Sequence, residues 1–475
     1  MKLIFVIFSL LYTISYADIK LSLEEALTHT IKHDFNLKLS KIDTNINKNR
    51  IIKEHSKFQP NLSASTVSSK DRNHLTNDVT TKKYSTNLKN KFATGTTATL
   101  SYTHDSTRNL ESNNRFNSAM NIKLEQELLK GFGQNYNLTA VNIANKQLAI
   151  SNQMQKKQLI QTIYSLQFAY WSYLKAYEDV RIRHQSLALS QQLLEQKRKE
   201  VALGGYAKIN LLEIEADVLS KSRQIALTEQ TYQRAKIELL RVMNAPNEWY
   251  VQEIIPTNEP KIKELVCTED NLIQKALQSR QDYIRNRLNL DINELLKNYN
   301  NVRKLPSLTL STTLTNNTPS TIKSEYNTLD TFSRKGWQVA LDFSYELFNN
   351  SAKSEYEIAS LNLQKAKTQL AQLTNDIHAQ VLDAKRVVDY SKKIAELTLL
   401  EYEQQKKVLE AEKLKLQSGM SNIRDYLYNQ NALILSELNL IGNKVEFLKA
   451  EASLYKTVGI IPPKLQPLIG DEIAK

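Results

Sequence analysis

Residues 337–347 read Trp-Gln-Val-Ala-Leu-Asp-Phe-Ser-Tyr-Glu-Leu. In an extended chain Trp337, Val339, Leu341, Phe343, Tyr345 and Leu347 fall on one face, with Gln338, Ala340, Asp342, Ser344 and Glu346 on the other. A tilted β-strand needs about 9 to 11 such residues to cross a bilayer, apolar toward lipid and polar within. The six apolar residues therefore read as a lipid-facing strand. Leu308, Leu310 and Leu314, after Pro306, supply its hairpin partner.

On the C-terminal side the character of the chain changes. No proline occurs from 347 to 461, nor in an earlier stretch from 134 to 245. Proline inside a helix costs about 3 kcal/mol, so both stretches are free to be continuous helix. Each is divided by glycine, Gly204-Gly205 in the first and Gly419 in the second, which reads as a helix end and hairpin turn. The long arms, from Asn135 to Leu203 and from Ser351 to Ser418, would each reach roughly 100 Å at 1.5 Å per residue. Leu159, Ile163, Leu166, Tyr170, Leu174 and Tyr177 step by three and four, as coiled-coil seams do; Ala395, Leu399, Tyr402 and Leu409 keep a similar seam. For the short arms the expected seams are Ile209, Leu212, Ala216 and Leu219, and Ile434, Ile441, Val445, Leu448, Ala452 and Tyr455.

A second strand-like region precedes the first helical stretch. It offers Leu62 and Ala64 after Pro60, then Ala98, Leu100 and Tyr102, then Met120, Ile122, Leu124 and Leu128. Two spanning strands would not use up residues 60 to 128, which leaves room for an additional hairpin around Tyr84 to Tyr102, outside the membrane.

The two regions are halves of a duplication. Each runs short helix, Pro60-Asn61-Leu62 or Pro306-Ser307-Leu308, strands, Glu127-Leu128 or Glu346-Leu347, long arm, glycine, short arm. The domain reading is 1–17 signal peptide, 18–260 first repeat (strands 60–128, helical hairpin 134–245) and 261–475 second repeat (strands 306–348, helical hairpin 350–459, then a tail). Neither half could bury its seam alone.

Composition agrees with a mainly α protein: only 10 Gly and 9 Pro occur in 475 residues, too few turn formers for an ordinary all-β fold. A net charge of +13 would raise nucleic-acid binding for a cytoplasmic protein. The N-terminus argues for another compartment. Lys2, the apolar run Leu3 to Ile14 and Ser15-Tyr16-Ala17 read as a secretory signal peptide, too short to span a bilayer. No nucleic-acid partner is expected. Cys267 is the single cysteine, so no intrachain disulfide can form.

No catalytic constellation is present. His29 and His33 are the one histidine pair at ligand spacing and read as surface residues; no phosphate loop or nucleophile elbow occurs. The expectation is no enzyme, no metal and no cofactor.

Several segments together resemble the TolC family of outer-membrane efflux proteins. Leu21-Ser-Leu-Glu-Glu-Ala26-Leu27 is similar to the family's opening helix, and Phe58-Gln-Pro60-Asn-Leu62 to its entry into the first strand. Glu125 to Gly133 resembles a strand-to-helix corner carrying Gly-Phe-Gly, and Gln417 to Leu427 resembles the periplasmic turn of the second hairpin. The resemblance covers essentially the whole mature chain. It implies a homotrimer in the outer membrane, each subunit giving four strands to a shared twelve-stranded β-barrel and its helices to a periplasmic α-barrel tunnel. The partners implied are outer-membrane lipid, a periplasmic adaptor and an inner-membrane transporter.

In that family the tunnel narrows just after the second-hairpin turn, which places Asp425 and Tyr428 at the constriction. Tyr428 replaces the family's second acid, Ser421 its arginine and Leu211 its first-hairpin aspartate. The usual gate links are thus missing, while one carboxylate ring remains. The competing reading is a periplasmic coiled-coil structural or adaptor protein without a pore; the alternating strand 337–347 weighs against it. N-terminal sequencing of protein recovered from the envelope should begin at Asp18; a retained Met1 would contradict export.

Overall fold

Ser22 followed by Glu25 is a sequence signal for a helix start, and the computed structural model shows the box closed: the Glu25 amide donates to Ser22 Oγ at 3.2 Å while the Ser22 amide donates to Glu25 Oε2 at 2.8 Å. The structure describes residues 18–71, 79–109, 115–203, 208–262, 268–320 and 334–472. The expected signal peptide, Gly204, Gly205 and Cys267 lie outside them.

In chain order the elements are β1 (Ile19–Leu21), α1 (Leu23–His33), α2 (Phe35–His55), β2 (Asn61–Asp71), β3 (Val79–Lys91), β4 (Thr96–Asn109) and β5 (Arg115–Glu127). There follow α3 (Gln134–Asn137), α4 (Thr139–Ala202), α5 (Leu211–Met243), β6 (Ile254–Pro256), α6 (Glu269–Ser279) and α7 (Gln281–Arg303). The chain continues with β7 (Ser307–Ser320), β8 (Arg334–Ser344), α8 (Asn350–Gln417) and α9 (Ile423–Val458). The fold class read from the sequence, long paired helices with strands, holds.

Elements at corresponding places in the two halves share local geometry. The 11-residue helices α1 and α6 both end in an extended residue before a longer helix, Asp34 at φ −65°, ψ 119° and Arg280 at φ −64°, ψ 120°. The short arms also end alike. Asn244 at φ 50° closes α5 and Gly459 at φ 78° closes α9, each with the following amide bonded back five residues, Ala245 to Leu240 and Ile460 to Tyr455.

Two compact units draw on both repeats. The first comprises 1–40, 154–282 and 374–475, and the second 41–153 and 283–373.

In the first unit, the expected seam of α4 is buried: Leu159, Ile163, Leu166, Tyr170 and Leu174 all join one core with Leu27, Leu239, Leu240, Met243 and Val445. Its tyrosines are satisfied internally. Tyr170 donates to the Leu21 carbonyl at 3.0 Å, Tyr173 to the Ile254 carbonyl at 2.5 Å and Tyr232 to Glu253 Oε1 at 2.8 Å. Burial pushes the Tyr170 phenol up to about 12. These bonds hold the parallel pair β1–β6 against the helices.

Two expected seams are corrected. On α5, Leu212 and Leu219 are exposed and the buried set is Leu211, Ile214, Ile225, Tyr232 and Leu239. On α8, Ala395 is buried but Leu399 is exposed; Ile377, Val381 and Val388 complete the buried stripe. Both helices carry two apolar stripes, and periodicity alone does not say which one meets its own chain.

The second unit is built on one antiparallel sheet in the order β2-β3-β4-β5-β7-β8. Among the described residues it has six strands, where the sequence reading has four in the barrel and an additional hairpin outside the membrane. The hairpin placed apart from the others is β3–β4, paired on both sides by unbroken ladders, Leu62 to Leu88 and Leu100 to Ile122 among them. Such pairing satisfies backbone groups that a separate hairpin would leave exposed along two edges. Strand β8 ends at Ser344, so Tyr345 and Leu347 follow it as exposed residues.

The Gly-Phe-Gly corner is a backbone requirement. Gly95, Gly131 and Gly133 all have φ near 90°, a region closed to most side chains. A Cβ at Gly95 would lie 2.4 Å from the Gly131 carbonyl oxygen, whereas one at Gly133 would meet nothing within 4 Å. Asn137 Nδ2 ties the corner by donating to the Gly131 and Gly133 carbonyls at 2.7 and 3.0 Å. Both Gly95→Ala and Gly133→Ala should lower stability through strain of about 1–3 kcal/mol. The Gly95 variant should lose more, read as the lower denaturant midpoint.

Candidate functional site

The turn between α8 and α9 is built by its own sequence. Gly419, at φ 70°, ends α8 with the Met420 amide bonded to the Lys415 carbonyl at 2.9 Å. Asn422 then caps α9: its Oδ1 accepts from the Asp425 amide at 2.9 Å and its Nδ2 donates to Asp425 Oδ2 at 2.9 Å. Ser421 donates to Glu412, itself buried. Asp425 is exposed in the first turn of α9, and Tyr428 is 73% exposed one turn further on. Beneath them Leu194, Leu211, Ile214, Ile423 and Leu427 form a small apolar cluster. Leu211, where an acid was expected, is thus a packing residue.

Two polar links join the short arms. Arg424 pairs with Glu213 at 2.5 Å, and the Glu213 carboxylate raises the guanidinium pKa above its ordinary value. Deeper, Lys221 and Asp217 form an ion pair at 2.9 Å with side chains only 11% and 9% exposed. Ser190 of α4 donates to Asp217 at 2.8 Å, Asn431 of α9 donates to Asp217 at 3.2 Å, and Lys221 donates to Gln430 at 3.4 Å. Asp217 and Asn431 are 214 residues apart, the spacing between Gly205 and Gly419. The sequence reading missed this cluster. Its one local signal was an acid four residues before a lysine on a helix.

The sheet of the second unit carries two chemically distinct faces. Following the ladders, Leu62, Leu88, Leu100, Ile122, Leu314 and Trp337 form one unbroken row, one residue from each strand. All six are exposed. Val339, Leu341 and Phe343 extend that face along β8, and each is more than half exposed. The adjacent row, on the opposite face, is Ser63, Asn87, Ser101, Asn121, Thr315 and Gly336. Another apolar surface is uncovered on α8, where Val387, Tyr390, Ile394 and Leu397 step by three, four and three at 49% to 66% exposure.

Among the described residues no group of three or more His, Cys, Asp or Glu could hold a metal ion, and no helix is long and apolar enough to cross a membrane. His29 is half-buried, its ring stacked on His33 at 4.5 Å and near Trp249 at 5.1 Å, in place of the surface position expected.

Residues 272–460 match the family model described as outer membrane efflux protein. Most of the chain, 92% of it, superposes on solved channels. The fold is that of an outer-membrane efflux channel. CusC, whose structures concern folding and transmembrane channel formation, shares 14% identity at a TM-score of 0.70, with 92% of each chain covered. The CmeC outer-membrane channel of Campylobacter jejuni shares 15% at 0.68, over 92% of this chain and 85% of that one. The open-state MtrE channel of Neisseria gonorrhoeae also shares 15% at 0.68, over 92% and 89%. No curated protein matches in sequence. The resemblance to TolC-family channels holds; of the segments that suggested it, Gln417–Leu427 lies within the matched residues, and Leu21–Leu27 and Phe58–Leu62 lie outside them.

Removing one partner of a buried ion pair costs about 3–5 kcal/mol, whereas replacing both with apolar groups is often neutral. The Asp217–Lys221 pair is only partly buried, so Lys221→Met should destabilise the helical unit by less than that amount, and Asp217→Leu combined with Lys221→Met should recover most of the loss. Thermal unfolding followed by circular dichroism measures both.

Proposed function

We propose that this chain is one subunit of a homotrimeric outer-membrane channel. It conducts efflux or secretion substrates to the exterior, delivered by a periplasmic adaptor and an inner-membrane transporter that supplies the energy. The observation that carries this reading is the apolar row crossing all six strands with a hydroxyl- and amide-bearing row behind it. An apolar outer band with a polar interior is what a membrane barrel requires, and a periplasmic coiled coil has no use for it. Trp337, Val339, Leu341 and Phe343 then face lipid, and Tyr345 and Leu347 sit just beyond the strand.

The uncovered stripe Val387, Tyr390, Ile394 and Leu397 supports self-association, because a heptad-like apolar seam buries itself against another helix. In this reading the two hairpins, joined at the partly buried pair Asp217–Lys221, are a wall segment of the tunnel.

Asp425 and Tyr428 are assigned to the narrow periplasmic end, where three copies would set a carboxylate ring around one axis. A ring of carboxylates favours cations in an opening small enough for its field to fill. Asp425 also bonds to its cap residue, so Asn422 orients the carboxylate.

Purified protein in planar bilayers should open discrete channels with cation preference. Asp425→Asn should leave assembly intact and lower that preference, and Tyr428→Ala should raise conductance while keeping it. Absence of conductance would overturn the channel reading; unchanged selectivity in Asp425→Asn would leave Asp425 as a helix-capping acid.

A further inference from the structure

The extra strand pair bears on the barrel itself. Among the described residues β2 and β8 are the two edges of the sheet. Six strands are fewer than the eight of the smallest membrane barrels, and unpaired edges are not tolerated in hydrocarbon. One copy cannot close the sheet.

The two edges match each other. Both β2 and β8 are 11 residues long. Every neighbouring pair in the sheet is antiparallel and the number of strands is even, so β2 and β8 run in opposite directions. Strand β2 begins just after α2 and β8 ends just before α8, which puts Asn61 and Ser344 at the same end of the sheet. Overlapped in full, Asn61 pairs with Ser344, Leu62 with Phe343 and Ser65 with Ala340. This register keeps the faces continuous: Leu62 and Phe343 are both apolar-face residues, while Ser65 and Ala340 both lie on the opposite one. The apolar row already reaches both margins, ending at Leu62 on one and Trp337 on the other, at 70% and 78% exposure.

We propose that β8 of one copy pairs antiparallel with β2 of the next, so that three copies close a barrel of eighteen strands in place of the twelve expected from four strands each. The proposal rests on the trimeric channel reading above. At about 4.8 Å between strands and about 40° of tilt, eighteen strands enclose a backbone diameter of about 36 Å, against about 24 Å for twelve. Barrels of this strand number hold an aqueous channel. Its lining here includes one row of neutral groups, Ser63, Asn87, Ser101, Asn121 and Thr315, with charged residues in other rows of the same face, Lys89 and Lys123 on one side and Lys83 and Asp105 on the other. An opening of this width passes bulky hydrated cargo.

Cysteine pairing in the intact protein, in a Cys267→Ser background, tests the seam. Ala340→Cys is combined in turn with Ser63→Cys, Ser65→Cys and Val67→Cys, which share one face and cover a register shift of two residues either way. A fourth combination is Ala340→Cys with Thr103→Cys, since Thr103 lies in the same row as Ser65 but on β4. Oxidised outer membranes should give a ladder of covalent dimers and trimers for at least one β2 pair, at least tenfold stronger than for the single-cysteine variants and for the Thr103 pair. Trimers crosslinked through Thr103, or trimers without any β2–β8 crosslink, would overturn the eighteen-strand barrel while leaving the channel reading in place. Absence of any oligomer would overturn the channel reading and this inference with it. A strand count in an electron cryomicroscopy map of the wild-type oligomer decides the same question without a variant, eighteen supporting the proposal and twelve refuting it.

Discussion

Side chains on a strand alternate, so a sheet can be apolar on one face only if the register of every strand pair has the same parity. A slip of one residue at any junction would transfer all later side chains to the wrong face. Five junctions separate β2 from β8, and parity is kept at each, from Leu62–Leu88 to Leu314–Trp337. Much else depends on this. The Gly-Phe-Gly corner returns the chain to its helix without disturbing the β5–β7 ladder, and the Leu128 amide extends that ladder by bonding the Leu308 carbonyl at 2.8 Å.

Pairing in the helical unit is achieved differently. Its apolar core is threaded by tyrosine hydroxyls, Tyr170, Tyr173 and Tyr232, which bond the short strands β1 and β6 or the acid beside them and so orient these pieces of chain. A tyrosine in such a position supplies both apolar area and a donor for a buried carbonyl. Nearer the α8–α9 turn, the partly buried pair Asp217–Lys221 replaces tyrosine as the polar element, and its neighbours come from α4 and α9. Apolar contacts would tolerate sliding of one helix along another. A charge held by several fixed donors admits one register.

Features carried by short-range pattern could be read directly from the sequence. Strand β8 was visible in the alternation from Trp337 to Phe343, though Tyr345 and Leu347 continued the pattern past the last ladder bond at Ser344. The long helices showed as stretches without proline, and Gly419 marked their division. The α5 seam was misassigned because Leu212 and Leu219 are as apolar as Leu211 and Ile214; only packing distinguishes them. Strands β2 and β3 were harder still. Their apolar face thins to Thr66, Ser68, Lys70 and Lys82, and what places them in the sheet is pairing with β4, a contact no local pattern encodes. At the α8–α9 turn the position of Asp425 was legible, but its cap bond from Asn422 and the meeting of Asp217 with Asn431 depend on the folded backbone.

The partly buried pair of Asp217 and Lys221 also bears on behaviour with heat. Hydration of ions becomes less favourable as temperature rises, so the cost of having removed both groups from water falls. Apolar burial gains little over the same range. On warming, the junction of the two repeats therefore retains its attachment relatively better than helix contacts made by leucine and isoleucine alone, and the first segments to loosen are those held only by such contacts.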